Sequence, residues 1–410
     1  MVAGSETPYI HQMKSTRQIL VVIVFAQFCC TSLWFAGNGV IEDLIQVFQL
    51  PSSALGHLTA AVQFGFISGT LSFALLTIAD RFSPSKVFFV SAVLAALFNL
   101  AVINGNNGLL SLLVLRFCTG FFLAGIYPVG MKIAADYFDK GLGKSLGFLV
   151  GALVLGTALP HLLKGMTQSF SWTYVILTTT MLSIFGGLIL VGMVADGPYR
   201  KAGQQVDLLA FFKVFKNRNF RSPAFGYFGH MWELYAFWTF VPMMLHTYGE
   251  LHPTNVLNVP LLSFLIIGIG GVACIMGGYL SSTLGTKRTA FIALLLSGIC
   301  CLISPLLFTI DSAIVFIGFL FFWGMVVVAD SPLFSTLVAQ NANPEIKGTA
   351  LTIVNCIGFA ITIVSIQLLN QLKNIVEVRQ LFLILFIGPL FGLIALSKKN
   401  DNPQLHENTT

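Results

Sequence analysis

Long apolar runs separated by short polar turns dominate the sequence. A transmembrane helix needs ~20 predominantly apolar residues in succession, and the chain contains about twelve such runs. The runs lie at 18–46, 54–78, 86–104, 109–135, 144–164, 172–195, 222–248, 259–283, 288–309, 313–340, 349–371 and 379–397. The pattern therefore predicts an all-α polytopic membrane protein with about twelve transmembrane helices.

The longest interruption between apolar runs divides the chain into two groups of six predicted helices. It contains a Gly-Pro pair and six basic residues. We expect five parts: a cytoplasmic tail at 1–16, a six-helix bundle at 17–196, a cytoplasmic linker at 197–221, a second six-helix bundle at 222–397 and a cytoplasmic tail at 398–410.

Composition excludes an ordinary soluble domain, because 56% of the 410 residues are apolar and only 9% are charged, whereas soluble domains are ~25% charged. The net charge of +6 is spread over many short loops, so we expect no nucleic-acid partner. All seven cysteines lie in apolar runs and none forms Cys-x-x-Cys. We therefore expect no metal site and no cofactor.

Basic residues predict how the chain is oriented. Eighteen of the 22 lysines and arginines fall in segments on one side of the predicted membrane. Lys164, Lys373 and Arg379 fall on the other side, and Arg116 lies within a span. Positively charged loops stay on the cytoplasmic side, so both termini are expected in the cytoplasm, with a bacterial inner membrane as the host.

The two halves of the chain resemble each other weakly. Pro128 in the fourth apolar run and Pro332 in the tenth are 204 positions apart, as are Trp34 in the first run and Trp238 in the seventh. Such near-constant offsets suggest a duplicated six-helix unit. Many transporters built from repeats bind their substrate between them.

Ionisable side chains within the seventh apolar run point to a functional site. The stretch Tyr227–Trp238 carries His230 and Glu233 at the predicted depth of the membrane. A charged group at that depth costs roughly 2.5–3.5 kcal/mol on insertion scales, so it normally faces a protein interior or a water-filled cavity. The alternative is a His and a Glu satisfied by neighbouring helices for packing alone.

Loop and helix motifs resemble those of the major facilitator superfamily of secondary transporters, whose loop motif after the second span is Gly-x-x-x-Asp-Arg-x-Gly-Arg-Arg/Lys. Asp80, Arg81 and Lys86 match it, but leucine and serine replace both glycines. The fourth run contains Arg116-Phe-Cys-Thr-Gly120, similar to the family's Arg-x-x-x-Gly. The resemblance covers the whole layout and implies two six-helix pseudo-repeats.

A gate on the cytoplasmic side is implied by the same resemblance. Asp80 would approach the start of the eleventh helix, near Gly348, in one conformational state, where unpaired N–H groups favour a carboxylate. A loop that only sets the topology is the alternative. The implied gating residues are Asp80, Arg81, Lys86, Gly285 and Lys287.

A central cavity lined by the first, fourth, seventh and tenth helices is a further implication. These runs hold most of the strongly polar intramembrane residues, and Glu233 would lie opposite a polar stripe of the first helix. Ordinary core packing is the alternative for each aromatic residue. The candidate substrate-binding residues are Gln27, Trp34, Asn38, Arg116, Tyr127, His230, Tyr235, Trp238 and Trp323, and the candidate proton-coupling residues are Glu233, Asp330 and His230.

The sequence favours a secondary active transporter that works by alternating access. Our first hypothesis is proton-coupled uptake of a small polar solute or an organic anion, with Arg116 facing the negative charge. Proton-driven efflux of amphipathic or lipid-like compounds is the alternative. A remote alternative is an integral-membrane transferase, although the outer loops offer only scattered acids. The expected partners are the substrate, protons and the bilayer, with the protein a monomer and not an enzyme.

Overall fold

The computed structural model describes residues 16–138, 142–166, 171–200, 215–343 and 347–397. All regular secondary structure within these ranges is helical. Residues 1–15 and 398–410 of the predicted tails and residues 201–214 of the predicted linker lie outside the described ranges.

The first six spans follow the order of the apolar runs, and the first, third and fourth consist of more than one helix. Span 1 comprises Thr16–Thr31, Ala36–Gly39 and Ile41–Val47; span 2 is Ala54–Leu75, followed by the short helix Ile78–Arg81; span 3 is Pro84–Leu100 with the 3₁₀ turn Ala101–Ile103; span 4 comprises Leu109–Leu123 and Tyr127–Tyr137; span 5 is Leu142–Met166; and span 6 is Thr173–Met193.

The last six spans repeat this order, with interruptions in the tenth and the twelfth. Span 7 is Arg218–Leu251; span 8 is Val259–Leu284; span 9 is Thr286–Leu307; span 10 comprises Ala313–Ala329 and Ser331–Asn341; span 11 is Lys347–Leu372; and span 12 comprises Val378–Leu381, the 3₁₀ turn Phe382–Phe386 and Ile387–Ser397.

Ten helices in the described ranges are long and apolar enough to cross a membrane. Span 1 is not among them because its helices are short, the longest having 16 residues. Span 7 is not among them although it has 34 residues, because His230 and Glu233 lie in its middle and lower its mean hydropathy. The predicted all-α polytopic fold is confirmed.

Prolines interrupt spans 4 and 10 at equivalent positions. The sequence predicted spans over 109–135 and 313–340, and within each of them the structure interrupts the helix. Pro128 and Pro332 stand at the start of the second helix of each span. Proline has no N–H to donate and disfavours helical geometry in the preceding residue. Spans 4 and 10 therefore each end in an 11-residue second segment.

Glycines set how closely the spans approach each other. A Cβ atom added to Gly65 of span 2 would lie 2.0 Å from the Phe117 carbonyl oxygen of span 4. Spans 5 and 8, which belong to different halves, meet at Gly151 and Gly271, where an added Cβ would lie 3.0 Å from the facing carbonyl oxygen. Small residues allow helix backbones to pack this closely in a membrane.

Three side chains of span 11 join the two halves at one end of the bundle. Gln367 Nε2 donates to the Gly56 carbonyl (3.0 Å), Asn370 Nδ2 to the Ser53 carbonyl (3.0 Å) and Lys373 Nζ to the Ser52 carbonyl (2.8 Å). We call this the latch end. The basic end is the other one, where Lys132 Nζ lies 2.8 Å from Asp80 Oδ1. The latch brings spans 2 and 11 together at the end opposite the basic loops.

The close approach of spans 2 and 4 predicts a strong effect of the smallest substitution there. We expect Gly65→Ala to destabilise the protein by about 1–3 kcal/mol, the usual cost of overpacking, because the added methyl group meets backbone. The matched control is Gly278→Ala in span 8, where an added Cβ meets nothing within 4 Å. Thermal unfolding in detergent measures both, and equal melting temperatures for the two variants would contradict the packing account.

Candidate functional site

A cavity lies between the two halves. Spans 4, 5, 7, 10 and 11 supply its lining, which is mostly aromatic and aliphatic with a few hydroxyl and amide groups. Among the described residues, the lining contains no charged side chain. The lining residues are Tyr127, Met131, Val150, Leu153, Tyr227, Met231, Leu234, Tyr235, Trp238, Val328, Ser331, Ser335, Asn355 and Phe359.

The breaks in spans 4 and 10 place residues in this lining. Tyr127 and Ser331 are the first residues after the two breaks, and both line the cavity. They are 204 positions apart, as Pro128 and Pro332 are. The duplicated proline therefore presents one residue from each half to the cavity at equivalent positions.

Aromatic rings close the cavity on the side of span 1. The ring centroids of Trp34 and Phe359 are 5.7 Å apart, and those of Trp34 and Tyr235 are 5.9 Å apart. Phe66 packs on Phe359 at 4.5 Å, and Tyr235 on Trp238 at 5.1 Å. The three contacts of Trp34 and Phe66 join the two halves, and each aromatic pair contributes ~0.5–1.5 kcal/mol beyond its buried area.

The guanidinium of Arg116 binds the backbone of span 1. Its Nη1 donates to the Leu33 carbonyl (3.1 Å) and its Nη2 to the Trp34 carbonyl. Both carbonyls lie where span 1 is interrupted, and carbonyls freed at a helix end accept bonds from cations. Arg116 is 1% exposed and is not part of the cavity lining. Its guanidinium therefore holds the break in span 1, and a contact with a substrate anion stays a prediction.

His230 and Asp330 form a buried pair between spans 7 and 10. His230 Nδ1 lies 2.8 Å from Asp330 Oδ1, and each side chain is 1% exposed. Neither Asp330 oxygen accepts a bond of good hydrogen-bond geometry within the described ranges, and His230 Nε2 has no partner there either. The pair adjoins the cavity, because the His230 ring packs 6.1 Å from Tyr227 and Asp330 precedes Ser331.

Glu233 faces spans 9 and 10 rather than span 1. Its Oε1 accepts hydrogen bonds from Ser297 Oγ (2.5 Å), Trp323 Nε1 (2.6 Å) and Cys301 Sγ (3.3 Å). The Trp323 ring packs on Phe237 at 4.8 Å. Three donors on one oxygen satisfy a buried carboxylate. The expectation that Glu233 lies opposite the polar stripe of span 1 is therefore wrong, although a role in proton coupling stays a prediction.

The remaining substrate-binding candidates divide into two groups. Tyr127, Tyr235 and Trp238 line the cavity. Asn38 donates to Thr59 Oγ1 (2.8 Å), and the buried amide of Gln27 has no hydrogen-bond partner in the described ranges. Neither polar residue of span 1 belongs to the cavity lining.

The gating candidates lie at the basic end. Asp80 pairs with Lys132, and its carbonyl accepts a bond from Arg200 Nη2 (2.9 Å). Arg81 Nε donates to Thr77 Oγ1 (2.9 Å), and Lys86 is exposed. In the second half Gly285 ends span 8 at φ +86°, where a glycine is favoured, and Lys287 lies in the first turn of span 9. The expected contact of Asp80 with the start of span 11 stays a prediction.

Several lining residues were not among the sequence candidates. Asn355 lies in the eleventh apolar run, and Tyr227 Oη donates to its Oδ1 (3.0 Å). Ser331 and Ser335 lie after the break in span 10. An asparagine in the middle of an apolar run was a signal for span 11, and the assumption that four helices line the cavity passed over it.

The fold and the sequence can now be compared with known proteins. The family model described as Major Facilitator Superfamily matches residues 23–366. The chain belongs to the Major Facilitator Superfamily. The predicted family is thereby confirmed.

Curated relatives match only part of this superfamily member. Efflux pump FUB11 of Gibberella moniliformis (strain M3125 / FGSC 7600) is 28% identical over 159 residues, and Efflux pump FUBT of Fusarium oxysporum is 27% identical over 157 residues. Each match covers 37% of this chain and 26% of the relative, so it spans about a quarter of the relative's length.

Among solved structures, the proton:xylose symporter XylE bound to 6-bromo-6-deoxy-D-glucose has a similar fold. Its TM-score is 0.74 at 14% sequence identity, and the match covers 93% of this chain and 94% of that one. At this identity the likeness supports the fold alone.

The hydrogen bonds to Glu233 predict an energetic coupling with Trp323. We expect Trp323→Phe to lower the free energy of unfolding. The loss should be about 1.5–3 kcal/mol smaller in a protein that already carries Glu233→Gln, because the hydrogen bond to the charged group is then already lost. Thermal unfolding of the four proteins of the double-mutant cycle measures the coupling.

Trp172→Phe is the control for this cycle, because Trp172 packs on Phe48 in a separate cluster. Its effect should add to that of Glu233→Gln. If the effects of Trp323→Phe and Glu233→Gln are also additive, the hydrogen bond from Trp323 to Glu233 contributes nothing to stability.

Proposed function

We propose that this superfamily member exports uncharged amphipathic molecules in exchange for protons. The uncharged lining of the cavity, which is mostly aromatic and aliphatic, carries this proposal. Apolar surfaces bind apolar parts of a ligand, while a few hydroxyl and amide groups fix its orientation. A charged substrate would have to leave water without an opposite charge in the lining to receive it, which is costly.

The position of Arg116 argues against the first hypothesis of an organic anion. Two of its three guanidinium nitrogens bind carbonyls of span 1. Recruiting the guanidinium for a substrate would release those carbonyls in a buried place, at a cost of ~1–3 kcal/mol for each unsatisfied group. The names of the two curated relatives, both efflux pumps, fit the alternative of export.

The proposed orientation is also consistent with export. We place the basic end in the cytoplasm, with both termini there and the protein acting as a monomer in the cell membrane. The latch residues Gln367, Asn370 and Lys373 then close the external end. Such a protein would load its cargo from the cytoplasm or the inner leaflet.

His230 and Asp330 are the proposed proton carriers. A proton bound to the imidazole makes an imidazolium–carboxylate pair with no net charge, and its release leaves a neutral imidazole beside a carboxylate. An uncompensated carboxylate is unfavourable in a buried site. The two protonation states therefore favour different arrangements of spans 7 and 10, which is what coupling requires. Tyr227 and Ser331 connect the pair to the cavity.

Glu233 is the second candidate for the proton. Its three donors come from spans 9 and 10, and among the described residues it is not part of the cavity lining. We assign it to holding the second half together. The two carboxylates can be separated by experiment.

Proton release on binding tests the proposal directly. We expect the neutral ketone 4-acetylbiphenyl, added to the detergent-solubilised protein in weak buffer, to release up to about one proton per bound molecule, since competing ligands are linked. A pH indicator follows the release. Asp330→Asn should abolish it while binding remains, and Glu233→Gln should preserve it.

Other outcomes would overturn parts of the account. Proton uptake on binding would indicate symport, as in our first hypothesis. Release that persists in Asp330→Asn but disappears in Glu233→Gln would make Glu233 the carrier. Absence of binding would contradict the neutral amphipathic substrate.

A further inference from the structure

One wall of the cavity carries a fixed polar pair. Tyr227 Oη donates to Asn355 Oδ1 at 3.0 Å, which joins span 7 to span 11. The tyrosine ring rests on Gly358, where an added Cβ would lie 2.5 Å from Tyr227 Cε1. This bond uses the side-chain oxygen of Asn355 as an acceptor. The side-chain NH₂ group, with its two N–H donors, then remains to bind a ligand. The pair is held in place without a ligand.

A second donor lies at the aromatic side of the same cavity. Trp238 lines the cavity and is 1% exposed, and its Nε1 has no hydrogen-bond acceptor within the described ranges. The indoles of Trp232 and Trp323 do have acceptors, the Ile384 carbonyl and Glu233. A buried donor without a partner is unfavourable. An acceptor on a ligand would remove that cost.

Helix geometry sets the relation between the two donors. Tyr227, which binds Asn355 and so fixes the first donor, and Trp238, which carries the second, are eleven residues apart on span 7. They therefore share a face, and their backbone positions are separated by roughly 16 Å along the axis. Tyr235 and Phe359 lie between spans 7 and 11, with ring centroids 5.3 Å apart. The lining thus offers a donor near each end and aromatic surface between them.

We propose that the cavity, whose volume is ≈ 30 Å³ in this conformation and which must widen as the two halves separate, selects an elongated, uncharged aromatic molecule with a hydrogen-bond acceptor at each end. Asn355 Nδ2 and Trp238 Nε1 bind the two acceptors. This inference rests on the proposed function, since it specifies the substrate of the same cavity. Carbonyl and ether oxygens are suitable acceptors. Groups that only donate find no matching partner at Trp238, because an indole N–H cannot accept a hydrogen bond.

A matched series of biphenyls tests the inference by isothermal titration calorimetry on the intact protein in detergent. The series contains 4,4′-diacetylbiphenyl, 4-acetylbiphenyl, biphenyl and 4′-acetylbiphenyl-4-carboxylate. We expect each acetyl group to tighten binding by about 3–10-fold, the effect of one net hydrogen bond. The carboxylate should bind most weakly of the four.

Variants assign the two donors. Asn355→Leu and Trp238→Phe should each weaken 4,4′-diacetylbiphenyl by about 3–10-fold more than they weaken biphenyl, because only the diketone loses a hydrogen bond. Tyr227→Phe is a second test of the polar pair that keeps the ring on Gly358. It frees the Asn355 amide to rotate, so it should weaken the diketone by a smaller factor. Asn341→Leu and Trp172→Phe, which lie outside the lining, are the controls.

The outcomes separate the inference from the function on which it rests. Equal affinity along the neutral series would overturn the inference. So would an equal loss for biphenyl and the diketone in Asn355→Leu and Trp238→Phe. If binding of the neutral compounds still releases protons, the proposed function stands in either case. Tightest binding of the carboxylate, or no binding of any neutral member, would overturn the proposed function as well.

Discussion

Satisfying charge inside an apolar protein is the constraint on which this structure depends. Arg116 and Glu233 are both almost fully buried, and each is compensated by groups of its own half of the molecule. The arginine binds carbonyls at the break in span 1, and the glutamate binds donors from spans 9 and 10. Neither of these two side chains lines the cavity between the halves. The lining is uncharged for that reason, and it favours uncharged ligands.

Backbone geometry produces the rest of the site. Glycines allow spans 2 and 4, and spans 5 and 8, to approach until backbone meets backbone. Prolines break spans 4 and 10 and present Tyr127 and Ser331 to the cavity. The His230–Asp330 pair lies behind the wall that these elements form. A change of charge on this pair therefore acts on span 7 and on the broken span 10, both of which line the cavity.

The fold could be predicted from the sequence because it depends on local properties. Runs of apolar residues determine the spans, and the offset of 204 between Pro128 and Pro332 indicated the duplicated six-helix unit. The site was predicted less well, because periodicity groups residues on a face without saying which neighbour that face meets. His230 and Glu233 share a face of span 7, yet one pairs with Asp330 and the other reaches span 9. The role of Arg116 depends on carbonyls that are free where span 1 is interrupted. No proline marks that interruption in the sequence, so the role could not be predicted.

The cavity suits an uncharged ligand because no charged side chain of the described residues lines it, while Arg116 and Glu233 are hydrogen-bonded to protein groups outside it. Competition between 4-acetylbiphenyl and biphenyl-4-carboxylate, measured by calorimetry at neutral pH, tests this claim most directly. We predict that the ketone binds at least about tenfold more tightly, or ~1.4 kcal/mol. Tighter binding of the carboxylate, lost in Arg116→Gln, would show that the arginine serves the substrate and would contradict the account.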